Sequence, residues 1–336
     1  MLTLIISIPA FARMYGFSCQ TCHYSYPKLN PFGEQFIEKG YYLEGNDEKI
    51  YQNVGDEKLN LFEKFPIAIR FNQLFEAKIQ ADSQHYQFLT PNFAKIFSGG
   101  PISKNLNFYT YLIIEEGEAP KFEDAWINLH NEKLAFTIGQ FQISDLMFMR
   151  ELRLTISDYY IYKFSDWPLT YHRGALFEAP FISFGIVNGN GLNFEDNNNQ
   201  KLYFSRLELF KFGIFGLYGE DFDSLNNYIN IRRAGLDFRY SYLNAHFFGQ
   251  LLYGKDYDEF YGGFIGLDYI LFPKVLSILM NYITAPNSSV YYSQRLFTTA
   301  LNFSYYIRTN AKMFFEFEGE YINKNYNIKG GIDYAF

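Results

Sequence analysis

Five consecutive residues near the N-terminus carry the clearest chemistry in the chain: Cys19-Gln20-Thr21-Cys22-His23. Two thiols at this spacing suit thioether bonds to the two vinyl groups of one haem c, and the adjacent imidazole then reaches the iron as its proximal ligand. Three rival chemistries fit less well. A thioredoxin-like redox pair wants a βαβ setting, which the flanking residues lack. A zinc site needs about four ligands, and only His23 lies close in sequence. A disulfide across the pair suits an oxidising compartment but leaves the trailing histidine unexplained. The spacing therefore predicts one covalent haem held by Cys19, Cys22 and His23.

The sixth iron position is less determined. Met147, Met149 and His172 lie in or beside a long segment, 144–171, and Met14 is closer in sequence but cramped. His85, His130 and His246 fall in strand-like stretches, where a satisfied or lumen-facing imidazole is the default. An open position is a further option, because axial ligation depends on proximity in space.

The elements around the motif are short. Asn30 reads as a helix N-cap, Pro31 as the first helical residue and Gly40 as the stop, so the spacing predicts a helix over Pro31–Lys39. Phe32 and Phe36 share one face of it, either against a porphyrin or against a neighbouring wall. A haem-bearing segment of residues 13–60 is too small to hold together without a staple, so it is expected to lean on, or enter, the mouth of a larger domain. Ahead of it, residues 1–12 resemble the end of a secretory signal peptide, with Ala10-Phe11-Ala12 in the small-x-small pattern. Cleavage there makes Arg13 the mature N-terminus and implies export.

Composition identifies the larger domain. Aromatic residues form 21% of the chain, with 38 Phe and 30 Tyr, yet mean hydropathy is slightly negative at −0.17. Apolar and polar residues are therefore interleaved. No stretch beyond residue 12 approaches the roughly 20 apolar residues that a spanning helix needs. Period-two alternation starts near residue 62 and is clearest at the C-terminus. There Tyr326, Ile328, Gly330, Ile332, Tyr334 and Phe336 oppose Asn327, Lys329, Gly331, Asp333 and Ala335. Met313, Phe315, Phe317 and Tyr321 likewise oppose Lys312, Glu316, Glu318 and Glu320. The fold class expected over residues 61–336 is an all-β transmembrane antiparallel β-barrel of about 16 strands, one face of each strand in lipid and the other toward the lumen. Short spacers such as Asn131-Glu132-Lys133, Glu178-Ala179-Pro180, Tyr242-Leu243-Asn244, Phe272-Pro273-Lys274 and Arg308-Thr309-Asn310 alternate with the longer 144–171, 189–200, 220–227, 255–259 and 286–292. Short periplasmic turns alternating with longer outer loops place both termini in the periplasm and the barrel in the outer membrane.

A net charge of −7 argues against nucleic acid as a partner. The outer loops are acidic, through Glu116, Glu118, Glu195, Asp196, Glu220, Asp221, Asp223, Asp256, Asp258 and Glu259. These carboxylates either concentrate cations at the mouth or merely keep the loops hydrated. The segment 144–171 is aromatic and long for a loop. It is expected to fold into the lumen as a constriction with Arg150, Glu151 and Arg153 facing water, unless part of it is wall strand.

Several stretches together resemble the fused monohaem cytochrome–porins of the bacterial outer membrane, whose best-known members are iron oxidases. They are Pro9-Ala10-Phe11-Ala12-Arg13, the Cys19–His23 motif, and Pro27-x-Leu29-x-Pro31-Phe32-Gly33 with Phe36 and Gly40-Tyr41. Arg150-Glu151-Leu152-Arg153-Leu154-Thr155, Asp158-Tyr159-Tyr160-Ile161-Tyr162-Lys163 and Val187-Asn188-Gly189-Asn190-Gly191 add to the likeness. The resemblance implies haem attachment at Cys19 and Cys22, proximal ligation by His23, and an electron conduit across the outer membrane. The expected donor is extracellular Fe(II), making the chain a possible Fe(II) oxidase, and the expected acceptor is a periplasmic c-type cytochrome. Two other readings are a diffusion porin in which the haem segment is a plug or redox sensor, and electron export to external acceptors.

Overall fold

A computed structural model describes residues 9–56, 58–80, 82–165, 167–222, 228–286 and 295–336. Residues 1–8 of the expected leader, and parts of the segments 220–227 and 286–292, lie outside the described residues. The N-terminal portion is built of short pieces: α1 (Pro9–Tyr15), α2 (Cys19–Cys22), β1 (His23–Ser25), β2 (Lys28–Leu29), α3 (Pro31–Glu38), α4 (Asp47–Ile50), β3 (Tyr51–Gln52) and β4 (Leu61–Phe62). β1 pairs with β2 and β3 with β4, as two small antiparallel ladders.

The wall follows. Its first half is β5 (Ile67–Ile79), β6 (Gln84–Ser103), β7 (Leu106–Glu115), β8 (Lys121–His130), β9 (Ala135–Gln142), β10 (Tyr171–Ala179), β11 (Ile182–Val187) and β12 (Leu202–Leu209). The second half is β13 (Phe212–Phe222), β14 (Tyr228–Tyr242), β15 (Ala245–Lys255), β16 (Glu259–Leu271), β17 (Lys274–Thr284), β18 (Arg295–Arg308), β19 (Ala311–Glu320) and β20 (Asn325–Ala335). Each strand pairs antiparallel with its sequence neighbour, and β20 closes on β5 from Tyr326 opposite Ile79 to Ala335 opposite Arg70. The result is a closed antiparallel barrel of 16 strands, the architecture expected from the alternation.

Closure leaves no free edge, and period two then sorts the side chains. Phe315 and Leu301 face outward and are exposed, while Glu316, Asn302 and Asp333 point inward and are fully buried. So much outward apolar surface is stable only against lipid. Tight turns at 104–105, 180–181, 210–211, 243–244, 272–273 and 309–310 mark one end of the barrel, and the longer connections mark the other. Two expectations shift in detail. The wall begins at Ile67 rather than near residue 62, because Leu61 and Phe62 pair with Gln52 and Tyr51 instead. The described residues of the segment 143–170 contain no wall strand and are bent by three short 3-10 turns.

The N-terminal portion enters the short-turn end of the lumen. The Arg13 guanidinium donates to the Ile67 carbonyl, and Lys64 Nζ to the Arg13 carbonyl at 2.9 Å. The Tyr306 hydroxyl donates to the Tyr26 carbonyl, Lys28 pairs with Asp268 at 2.5 Å, and Tyr51 donates to the Pro101 carbonyl at 3.1 Å. The lumen wall is also cross-linked by charge. Arg70 forms a two-point pair with Asp333 (2.9 and 2.5 Å) and reaches Glu151 at 3.5 Å, while Lys95 holds Glu151 at 2.7 Å. Removing one partner of a buried pair leaves the other without compensation, at a cost of about 3–5 kcal/mol. Asp333→Ala should therefore lower barrel stability by that order, read as an earlier midpoint in urea unfolding, with the outward Ile332→Ala costing far less.

Candidate functional site

α2 is a single turn that delivers both thiols, and the chain then leaves in extended form at His23. Two neighbours set its position. The Asn30 amide nitrogen donates to the Thr21 carbonyl at 3.0 Å, while its Oδ1 accepts from Gly33 N at 2.9 Å as the N-cap of α3. One side chain thus starts α3 and ties it to α2. Asn30 N also donates to the Cys22 carbonyl at 2.9 Å. α3 spans Pro31–Glu38 with Lys39 as its C-cap, and Gly40 follows with φ +62°, as the spacing predicted.

Gly33 lies where α3 crosses the end of α2. A Cβ on it would sit 2.2 Å from the Cys22 carbonyl oxygen, a backbone atom that cannot swing away. Gly33→Ala should push the two helices apart at a cost of about 1–3 kcal/mol. For the haem expected on Cys19 and Cys22, the predicted result is a lower haem-to-polypeptide ratio in the purified barrel, measured by pyridine haemochrome absorbance.

His23 is buried, and its Nδ1 lies 3.0 Å from the Pro27 carbonyl oxygen. A carbonyl only accepts, so Nδ1 carries the proton and Nε2 keeps its lone pair for a metal. Burial pushes the imidazole down to about 4, which leaves it neutral, the ligating form, at pH 7. Burial pushes the Cys22 thiol up to about 11. Reactive redox thiols are shifted the other way. Cys19 and Cys22 are free, half-buried thiols.

Cys19, Cys22 and His23 open onto a small cleft. Its apolar lining includes Phe11, Phe17, Tyr26, Leu29, Phe36 and Ile37, and Asn310 and Ala335 of the barrel complete it. The rings are mutually braced: Phe11 meets Phe36 edge-on at 5.2 Å and stacks on Tyr41 at 4.7 Å, and Phe17 meets Phe32 edge-on at 5.9 Å. Of Phe32 and Phe36, only Phe36 lines the cleft. Phe11 alone among these rings belongs to the segment that a leader cut after Ala12 would remove. The chemistry of the residues present fits a c-type haem: two unbonded thiols, one neutral imidazole with Nε2 unbonded, and an apolar lining.

The four candidate distal ligands lie elsewhere. The Met147 sulfur receives the Gln250 amide at 2.7 Å, deep in the lumen, and Met149 packs in the same core. Both ring nitrogens of His172 are engaged, Nε2 with the Pro168 carbonyl oxygen at 2.9 Å and Nδ1 with Gly191 N at 3.3 Å. Met14 is buried with its methyl toward Gly100 on the wall. None of the four lines the cleft, whose described lining contains no second histidine and no methionine. His130 packs against Gly40 and Asn107, His246 against Tyr24 and Ser241, and His85 lies exposed beside Gln87.

From the long-loop end, segment 143–170 folds into the lumen as expected. Glu316 holds it by accepting from Ile156 N at 2.6 Å, Ser157 N at 2.7 Å and Ser157 Oγ at 2.7 Å. The Tyr160 hydroxyl reaches Glu318 at 2.5 Å and Trp167 Nε1 reaches Asp221 at 2.8 Å. Arg150, Glu151 and Arg153 do not stand in open water. Arg150 and Arg153 converge on Asp158 at 2.5 and 2.8 Å, and Glu151 is held by Lys95. The alternation marked Glu316 as an inward residue, but not its partners 160 positions away.

Most acidic loop residues are engaged locally. Asp196 pairs with Lys201 at 2.5 Å, Glu259 with Lys255 at 3.1 Å, Glu118 with Lys121 and Asp256 with Arg233. Among the described residues no group of three or more His, Cys, Asp or Glu side chains is placed to hold a metal ion. Asp223 lies outside the described residues.

No family model and no curated protein matches the sequence. Solved outer-membrane porins match the fold. The anion-selective porin from Comamonas acidovorans aligns with TM-score 0.61 at 9% identity, covering 80% of this chain and 98% of that one. OmpF of Salmonella typhi, in complex with daunomycin, aligns with TM-score 0.57 at 12% identity over 81% and 98%. A loop-deletion mutant of Vibrio cholerae OmpT aligns with TM-score 0.57 at 10% identity over 80% and 99%. At such identities the likeness is one of fold: this chain has the barrel architecture of outer-membrane porins.

Proposed function

We propose that this protein is an outer-membrane electron conduit, with one haem c on Cys19 and Cys22 and His23 as its proximal ligand. The observation that carries the reading is His23 itself: a buried, neutral imidazole with Nδ1 tied to the Pro27 carbonyl, beside two free thiols in an apolar cleft at one mouth of a barrel. A haem held there supplies a reversible one-electron centre and no bond chemistry. The chain's own residues do the remainder. Asn30 sets the two helices, the phenylalanines exclude water, and the anchors at Ile67, Tyr306 and Asp268 hold the segment in the mouth.

Short turns on the same side as both termini correspond to the periplasmic end of such a barrel. The cleft then faces a soluble c-type cytochrome, while an external donor such as Fe(II) approaches the loop end. Packed rings occupy the space between: Lys28 lies 4.9 Å above the Phe248 ring, Phe248 meets Phe264 at 6.3 Å, and Phe264 stacks on Tyr159 at 4.1 Å. A dense medium of this kind favours electron tunnelling over solute passage. The rival reading, a diffusion porin with a haem-bearing plug, takes its support from the fold. Against it, the inward residues Glu316, Asn302 and Asp333 have no exposure, whereas an open pore would wet them.

The test is anaerobic stopped-flow mixing of the haem-loaded protein with Fe(II), following the haem absorption bands. The expected result is rapid reduction that is lost in His23→Ala. A protein that stays oxidised with Fe(II) yet reduces with dithionite removes Fe(II) as the donor. Export to external acceptors would instead show as fast oxidation of the reduced protein by those acceptors.

A further inference from the structure

The outer face of the barrel carries a second feature that the electron-transfer reading does not use. The wall is lowest at β9, β11 and β12, with 8, 6 and 8 residues, against 20 in β6 and 15 in β14. Along this low stretch the ladder between β8 and β9 stops at Ala125 opposite Gln140, so β8 and β9 splay apart toward the loop end. Gly139, at φ +138°, makes the bend, where a Cβ would lie 2.2 Å from the Ala125 carbonyl oxygen. The Gln140 side chain spans the seam. Gln140 donates to the Phe122 carbonyl at 2.6 Å and to Asn193 Oδ1 at 3.1 Å, and its own oxygen accepts from Asn193 N at 3.0 Å.

Over this seam runs an open groove of about 630 Å³. Its floor is apolar, formed by Ala125, Ile138, Ala175 and Ile186 on the outward face of the wall. At its loop end stand two cations, Arg173 and Lys201, and no acidic residue lines it. Lys201 is partly neutralised by Asp196. Arg173 is exposed, and among the described residues no carboxylate pairs with its guanidinium. An unpaired, outward-facing arginine on the lipid side of a barrel wall is unfavourable unless an anion meets it. A trough floored by small and branched apolar side chains, with cations only at its outer end, has the polarity of one kind of membrane component.

We propose that this groove binds an anionic lipid of the outer leaflet, its acyl chain along Ala125, Ile138 and Ala175 and its phosphate on Arg173 and Lys201. Seated there, the lipid covers the splayed β8–β9 seam that Gln140 spans.

The test uses the full haem-loaded chain in nanodiscs of phosphatidylcholine doped with phosphatidylglycerol, released for native mass spectrometry. The wild type should retain phosphatidylglycerol over phosphatidylcholine, and Arg173→Ala should lower that ratio roughly fivefold, the effect of one surface cation on an anionic lipid. Ala175→Trp fills the trough while keeping both cations, and should lower retention as well. Arg232→Ala, an outward cation over the Tyr218 ring, should not. Equal retention of the two lipids, or no loss in Arg173→Ala, overturns the proposal. So does undiminished retention in Ala175→Trp, equal occupancy by inorganic phosphate alone, or a dimer whose copies cross-link through this face.

Discussion

A chain in which Cys19 and Cys22 are both alanine should reach the membrane as a folded barrel that carries no covalent haem. The two thiols contribute little else. α2 is held by backbone and by Asn30, through Thr21 N to the Ser18 carbonyl at 3.0 Å and Asn30 N to the Cys22 carbonyl at 2.9 Å, and the cleft walls are braced by Phe36 against Phe17 and Tyr41. Losing two half-buried sulfur atoms removes a small apolar area, on the order of 1 kcal/mol at the usual area coefficient. Losing both thioethers removes the only covalent route to the cofactor. Haem staining on a denaturing gel should fall to background, while the barrel retains its heat-modifiable mobility. Single replacements should leave partial staining through one bond. Staining that survives in the double variant would mean that the thiols serve some other purpose, such as a disulfide.

The next largest effect is expected at Glu316. Its carboxylate is fully buried and accepts from Ile156 N, Ser157 N, Ser157 Oγ and, at 2.9 Å, the Asn302 amide. Glu316→Ala strands two backbone N–H groups and an amide in the lumen and removes the charge that Lys329 faces at 3.9 Å. Breaking a buried ionic cluster in this way costs about 3–5 kcal/mol. The cost falls on the arm of segment 143–170 around Ile156, which then has Tyr160–Glu318 and the Asn281 contacts to hold it. The lumen should open. In planar bilayers the wild type should conduct little, and Glu316→Ala should show larger, noisier single-channel steps. Glu316→Gln, which keeps an acceptor oxygen, should fall between them. Equal conductance in all three would mean that the inlet segment does not seal the lumen.

Much of the fold was legible because a barrel writes its geometry locally. The opposition of Met313 and Phe315 to Lys312 and Glu316 is a property of one strand, and it states which face meets lipid without knowledge of any partner. The same holds for Asn30, Pro31 and Gly40, whose backbone preferences act within one turn of helix. Contacts across the lumen were not legible. Glu316 could be assigned inward, but its pairing with Ile156 and Ser157 depends on the path of a loop entering from the far end. Leu61 and Phe62 alternate like wall residues, yet they pair with Tyr51 and Gln52, because two residues of alternation cannot distinguish one ladder from another. At the site, the Cys19–His23 motif could be singled out as the candidate haem attachment, and Pro27 and Gly33 were visible as residues without their roles. Those roles, an acceptor for His23 Nδ1 and a close crossing at Cys22, arise only when the hairpin and α3 fold back together. The methionine and histidine candidates failed to gather at the cleft for the same reason: sequence lists side chains able to ligate, and the topology decides which come near.

The central claim is that electrons cross the membrane through this barrel. It is tested most directly in proteoliposomes that enclose an oxidised soluble c-type cytochrome, with the haem-loaded protein in the membrane and a membrane-impermeant reductant or Fe(II) outside. The account predicts reduction of the enclosed cytochrome at a rate set by the protein content, absent from liposomes carrying the double Cys19→Ala, Cys22→Ala variant, with no leakage of small solutes. An enclosed cytochrome that stays oxidised while solutes pass freely would contradict it and return the protein to the diffusion porins whose fold it shares.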